Sequence, residues 1–171
     1  AETGIEFLDQ RVLDAMARVP RHEFVPAEFR EYAYLDVPLP LGQGQNISQP
    51  FIIALMTHLA RIRPDDVVFE TGTGAGYHAA ILALLAKRVY SVEYVETFVA
   101  PAAALLDRLG YDNVEIHAAD GYYGWRQAAP FDVIIVKESL HHVPAPLLSQ
   151  LKPGGRMVIP VGPRDREQFL T

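Results

Sequence analysis

The chain contains no cysteine, which excludes disulfide scaffolds, thiolate metal sites and cysteine nucleophiles. Long apolar runs are also missing. The longest strongly apolar stretch, Ala79 to Ala86, ends far short of the roughly 18 residues that a bilayer span requires, so no membrane association is expected. Basic residues are in deficit, 15 Lys and Arg against 21 Asp and Glu, for a net charge of −6. No basic run exceeds two residues, and tight binding to a phosphate backbone is therefore not expected, so nucleic acid is excluded as a partner. Residues Ala1 to Gln10 carry acids and lack a basic segment followed by an apolar one. No secretory signal is read there, which leaves a cytoplasmic location as the expectation.

What is present suffices for one packed core. Of the 171 residues, 50% are hydrophobic and 21% charged, at a length close to the roughly 150 residues of one domain. Apolar residues from Leu8 to Val19 recur with a helical period and stop at Pro20. From Pro20 to Gln49 prolines, glycines and interspersed aromatics predict a loop-rich cover with short helical turns. A helix is predicted over Phe51–Ala60 after Pro50, a residue favoured in a helix's first turn. Thereafter five strand-like runs, Val67–Glu70, Val89–Glu93, Val114–His117, Phe131–Val136 and Arg156–Val161, alternate with helical patterns at Tyr77–Ala86, Glu96–Leu109 and Pro144–Leu151. This alternation predicts an α/β fold, a mostly parallel twisted sheet of Rossmann-like type with helices on both faces. The expected organisation is a cover over residues 1–60 that contributes to a substrate site, and a ligand-binding core over 61–171.

The first predicted strand runs into Glu70-Thr71-Gly72-Thr73-Gly74-Ala75-Gly76-Tyr77. In a doubly wound sheet that turn lies at the carboxyl edge, where ligands bind, and glycines let a ligand approach the backbone. A dinucleotide fingerprint needs its third glycine one residue later, and Glu70 places a carboxylate where a pyrophosphate would be repelled. A cationic ligand without phosphates suits the turn better. The acidic G-x-G-x-G pattern resembles motif I of class I S-adenosylmethionine (SAM) methyltransferases. Glu93 closes the second strand within reach of ribose hydroxyls, and Asp120, followed by Gly121, follows the third strand and is placed to accept from an adenine amino group. The expected cofactor-binding residues are thus Glu70, Gly72, Gly74, Gly76, Glu93, Asp120 and Gly121. A glycine turn that merely packs a helix on a strand is the alternative.

Three further stretches carry a narrower resemblance: Arg18-Val19-Pro20-Arg21-His22-Glu23-Phe24-Val25-Pro26, Gly44-Gln45-Asn46-Ile47-Ser48-Gln49-Pro50 and Asp120-Gly121-Tyr122-Tyr123-Gly124-Trp125. With Leu151 to Gly162 they resemble the protein-L-isoaspartate (D-aspartate) O-methyltransferases, the Gln-x-Ile-Ser-x-Pro element being the most specific part. The resemblance implies methylation of the abnormal carboxylate of L-isoaspartyl and D-aspartyl residues, a damaged protein or peptide as partner, and a hydroxyl beside the acceptor at Ser48, the candidate catalytic residue. Capping of the helix near Pro50 is the structural alternative for Ser48. Arg21 and His22 read as a packing ledge, and Tyr77 and Trp125 as cofactor walls or core.

The chain departs from that family in two places. Where the family has small residues after the fourth strand, this sequence has Lys137-Glu138-Ser139-Leu140-His141-His142. Lys137 is placed to hold an anionic substrate. His141 is a candidate substrate contact, since a His near this strand end serves as base toward hydroxyls or amines in small-molecule methyltransferases. Those acceptors, another carboxylate, and a non-catalytic SAM-binding module are the competing readings. The family also carries further strands beyond Gly162, whereas this chain stops at Thr171. The edge Met157–Val161 is therefore expected to be unpaired, either because the chain is a fragment, the favoured reading, or because a partner chain covers it.

Overall fold

A computed structural model of the chain describes residues 7–162 and 168–170; residues 1–6, on which the reading of the N-terminus partly rests, lie outside them. Helix α1 (Gln10–Arg18) starts where the Asp9 carboxylate accepts from Arg11 N at 2.9 Å, and it buries Val12 and Ala15. Two 3₁₀ turns follow, Arg21–Phe24 and Ala27–Tyr32. The predicted loop then contains a hairpin, β1 (Leu39–Gly42) with β2 (Gln45–Ile47). Its tip has positive φ at Gly42, Gln43 and Gly44, which glycine adopts without steric cost. Pro50 occupies the first turn of α2 (Pro50–Ala60).

From here strands and helices alternate as read: β3 (Val67–Thr71), α3 (Tyr77–Leu85), β4 (Arg88–Glu93), α4 (Glu96–Arg108), β5 (Val114–Ala118), β6 (Phe131–Ile135), α5 (Ala145–Gln150) and β7 (Leu151–Val161). These five strands are parallel, and a short β8 (Gln168–Leu170) is added antiparallel to β7, giving the order β5-β4-β3-β6-β7-β8. The order reverses between β3 and β6, and crevices for ligands form at such a switch point, outside the strands' carboxyl ends. Central strands covered on both faces read as continuous apolar runs. Phe69, Val133, Ile134 and Ile135 accordingly have no exposed surface.

The cover and the core share their apolar interior. Ala15, Val19, Phe24 and Ile53 join Ala79, Ala80 and Ile81 of α3 in one cluster, while Met56 and Ala60 of α2 pack with Val133 and Val158. Burying a side chain of this size stabilises the fold by roughly 1.5–3 kcal/mol. One expectation is corrected at the sheet edge. Of the edge Met157–Val161, Ile159, Pro160 and Val161 pair with the chain's own Leu170, Phe169 and Gln168, so that part of it is not unpaired.

Candidate functional site

At the switch point lies a cavity of about 470 Å³. Its floor is the glycine turn after β3. Its walls are the tips of β4, β5 and β6, and its roof is the β1–β2 hairpin with Ile47 and Ser48. Gly72, Gly74 and Gly76 have φ of +68, +55 and +95°, values that L side chains rarely adopt. The space is also claimed: a Cβ on Gly72 would lie 2.8 Å from Glu138 Oε1, and one on Gly74 would lie 3.3 Å from Leu41 of the hairpin. Glycine here therefore keeps the floor open. Gly76 is the N-cap of α3 and lies against Leu106.

Glu93, at the tip of β4, is 6% exposed and lines the cavity. Its Oε2 accepts from Gly74 N at 2.7 Å and its Oε1 from Val95 N at 2.8 Å. The carboxylate is thereby fixed against the turn, and each oxygen retains a second lone pair. Asp120 follows β5 and also lines the cavity; its Oδ1 accepts from Tyr122 N at 2.9 Å. Gly121 beside it has no room for a side chain, since a Cβ would sit 2.7 Å from Thr71.

Glu70 is not in this group. The reading of Glu70 as a cofactor contact is corrected: its side chain has no exposed surface and lies beneath the turn. Oε1 accepts from Ser91 Oγ at 2.8 Å, and Oε2 forms an ion pair of 2.9 Å with Lys137 Nζ. Ser91 accepts in turn from Thr73 Oγ1 at 2.5 Å, which joins the carboxylate to the glycine turn from below. Burial pushes the Glu70 carboxyl above the ordinary carboxylate range, and the Lys137 charge opposes this. Lys137 lines the cavity as expected, but its ammonium is already engaged, with the side chain 14% exposed.

His78 of α3 completes this buried layer. Thr57 Oγ1 donates its one hydrogen to Ile53 O (2.6 Å), so at 2.9 Å it accepts from His78 Nε2. That leaves Nδ1 bare, 3.9 Å from Glu70 Oε2. Burial holds the imidazole well below the usual histidine range, and Lys137 lowers it further. A depressed histidine contributes stability that is present above its unfolded value of about 6.5 and is lost as the pH falls. Replacing His78 with Gln is therefore expected to flatten the fall of unfolding free energy between pH 7 and 5 by about 1–2 kcal/mol. Urea titrations of both proteins check this; parallel pH dependences would show that His78 takes up its proton as readily in the native state as in the unfolded one.

Ser48 lines the cavity from the roof. The alternative role as a helix cap is not seen: α2 has Gln49 at its N-cap position with no side-chain cap, and the Phe51 N–H is satisfied by Asp36 Oδ1 at 2.8 Å. The Ser48 carbonyl accepts from Arg21 Nη2 at 2.9 Å, while Arg21 Nε donates to Ala33 O at 2.8 Å and the guanidinium lies 4.6 Å from the Tyr77 ring centre. Arg21 is 1% exposed and forms the ledge, whereas His22 is half exposed and shares a hydrogen bond of 2.6 Å with Tyr34 OH instead. Tyr77 both packs edge-on against Phe24 and lines the cavity, whereas Trp125 packs on Tyr90 and His117 away from it.

His141 is corrected as well: it is exposed and does not line the cavity. Its neighbour His142 shares a hydrogen bond of 3.0 Å with Tyr122 OH, which bridges the loops after β5 and β6. The residue missed by sequence reading is Glu138. It lines the cavity, Thr71 Oγ1 donates to its Oε2, and Thr71 Oγ1 accepts from Lys137 N at 3.1 Å. The signal available was the replacement of small residues by charges after the fourth strand. The hairpin tip is tied across the cavity by Gln43 Nε2, which donates to Thr97 Oγ1 at 2.6 Å.

The comparisons agree with this geometry. A family model described as protein-L-isoaspartate(D-aspartate) O-methyltransferase matches residues 2–171. Protein-L-isoaspartate O-methyltransferase 2 of Syntrophobacter fumaroxidans is 58% identical over 159 residues, covering 93% of this chain and 64% of the relative. The protein of the same name from Nitrosococcus oceani is 53% identical over 168 residues, covering 98% and 77%. A solved protein-L-isoaspartate O-methyltransferase superposes with a TM-score of 0.82 at 31% identity, covering 90% of this chain and 51% of that one. A Plasmodium falciparum structure, described as a complex with S-adenosyl-L-homocysteine, shares the fold with a TM-score of 0.81 at 24% identity. The chain thus spans less than two thirds of the Syntrophobacter relative and about half of the first solved structure. With a family model matched along nearly its whole length and relatives above 50% identity, the chain belongs to the protein-L-isoaspartate(D-aspartate) O-methyltransferase family.

Proposed function

We propose that this protein transfers a methyl group from SAM to the carboxylate of L-isoaspartyl and D-aspartyl residues in damaged proteins. The observation that carries the reading is the rim cavity, which gathers the glycine turn, Glu93, Asp120 and Ser48 around one volume. The residues fit a cationic nucleoside: Gly72 and Gly74 leave the floor without side chains at those positions, and the lining carries the carboxylates of Glu93, Asp120 and Glu138. Glu93 would hold the ribose hydroxyls, Asp120 and Gly121 the adenine edge, and the turn at Gly72, Gly74 and Gly76 the remainder. When bound, the cofactor supplies an electrophilic methyl group on a sulfonium.

The rest is the work of this chain's own residues. An acceptor carboxylate with a pKa of about 4 is ionised at pH 7, so no side chain has to remove a proton. Ser48 Oγ donates to that carboxylate and aims it, which is the entropic part of catalysis. Lys137, the cationic side chain lining the cavity among the described residues, is held at 2.9 Å by Glu70 and leaves the acceptor to Ser48. Ile47, Ile53 and Leu140 exclude water that would otherwise solvate the nucleophile. In this reading residues 1–60 form the acceptor-side cover and 61–171 the donor-binding core. The working location is the cytoplasm, in keeping with a cysteine-free chain in which no described helix is long and apolar enough to cross a membrane. The acidic balance favours no nucleic-acid partner.

One observation favours a second reading. Glu138 places a carboxylate at the cavity mouth, where an amine acceptor is better received than an anion. Incubation with labelled SAM and an isoaspartyl peptide, beside its normal-aspartyl twin, separates the two. Label in the isoaspartyl peptide alone supports carboxylate repair; label in neither, with transfer to small amines, supports the other. Ser48→Ala is expected to lower transfer to the isoaspartyl peptide about tenfold, the equivalent of one hydrogen bond of roughly 1.4 kcal/mol, with SAM affinity by calorimetry unchanged. Equal rates would remove Ser48 from the mechanism.

A further inference from the structure

Glu138 is counted above among the acids of the lining, but no step of the transfer uses it. It stands in the loop just after β6, across the switch point from Glu93 on β4 and Asp120 just after β5. That order gives the cavity a polarity. A ligand whose ribose lies on Glu93 directs its other half over the glycine turn toward β6, and in SAM that half carries the sulfonium and the amino group. Glu138 is restrained there: Thr71 Oγ1 donates to its Oε2, and its Oε1 lies 2.8 Å from where a Cβ on Gly72 would stand. The adjacent Lys137 does not neutralise it, because that ammonium is paired with Glu70 at 2.9 Å. This side of the turn therefore keeps a negative charge.

We propose that Glu138 is a specificity-determining residue that selects the sulfonium form of the cofactor over the neutral thioether left after transfer. The inference rests on the reading of the cavity as a SAM site. A carboxylate facing the sulfur attracts it only while it bears a positive charge. The attraction ends when the S–CH3 electron pair stays on sulfur, the methyl passes to the acceptor oxygen, and both formal charges vanish. Glu138 thereby favours loading of the donor and departure of the product.

The test is calorimetry with SAM and with S-adenosylhomocysteine on the wild-type chain and on Glu138→Gln, with thermal melts to establish folding. The variant is expected to bind SAM roughly three- to tenfold more weakly, a modest change because the site is open to screening water, and to bind S-adenosylhomocysteine within about twofold of wild type. The wild-type preference for SAM is expected to shrink at high salt, and that of the variant to stay level. Equal weakening of both ligands, or none, overturns the proposal. A wild-type chain that binds neither overturns the cofactor reading itself, a distinguishable result. Should Glu138→Gln fail to fold, Glu138→Ala serves in the same comparison.

Discussion

Glu93→Ala is expected to weaken SAM binding by about 1.5–3 kcal/mol, roughly 10- to 150-fold, because charge-assisted hydrogen bonds are worth that much. The effect has two sources. Removal of the carboxylate takes away the acceptor proposed for the ribose, and it also frees the N–H groups of Gly74 and Val95, which Glu93 holds at 2.7 and 2.8 Å. The floor of the cavity is then no longer preorganised. Glu93→Gln retains one acceptor oxygen and is expected to fall between wild type and the alanine variant. Calorimetry with SAM checks both, and an alanine variant with unaltered affinity would remove the rim acid from the site.

The second large effect is on stability. Lys137→Met leaves Glu70 buried with no cation, and breaking a buried pair costs about 3–5 kcal/mol. Because the Lys137 side chain is 14% exposed, a value near the lower end is expected. The loss depends on pH in a defined sense. Glu70 is already raised by burial despite Lys137, and without the lysine it rises further. A raised acid contributes stability that is present below its unfolded value of about 4.3 and disappears as the pH climbs through its folded value. Urea titrations are therefore expected to show a larger deficit at pH 8 than at pH 5. The double variant Glu70→Gln, Lys137→Met recovers most of the deficit, since no charge remains to be buried. An equal deficit at both pH values would show that Glu70 is not the group left exposed to the change.

The alternation of strands and helices was legible because the central strands are covered on both faces and read as uninterrupted apolar runs, as in Val67–Phe69 and Val133–Ile135. Glu93 and Asp120 were legible as acids at strand ends. Glu70 was not, for a reason of parity. Successive side chains of a strand point to opposite faces, and a run apolar on both faces does not disclose which face a given residue takes. Glu70 fell on the side of His78 and Ser91, under the turn. The β1–β2 hairpin escaped because its strands are short, carry Pro40, and end in glycines that ordinarily mark loops. The three residues of β8 are too few to show a period. Glu138 escaped because its place depends on β6 lying next to β3, a long-range pairing.

The hairpin roof is secured unequally at its two ends. Near Ser48 a buried guanidinium grips two carbonyls and a ring, and such a planar fork is not replaced by the point charge of a lysine. At the tip an exposed amide–hydroxyl contact, Gln43 to Thr97, spans the gap, with Leu41 packed over the glycine turn behind it. Local opening concentrates where bonds are few and wet. The Gln43 end of the roof is therefore the end expected to open first, while the Ser48 end stays held by Arg21.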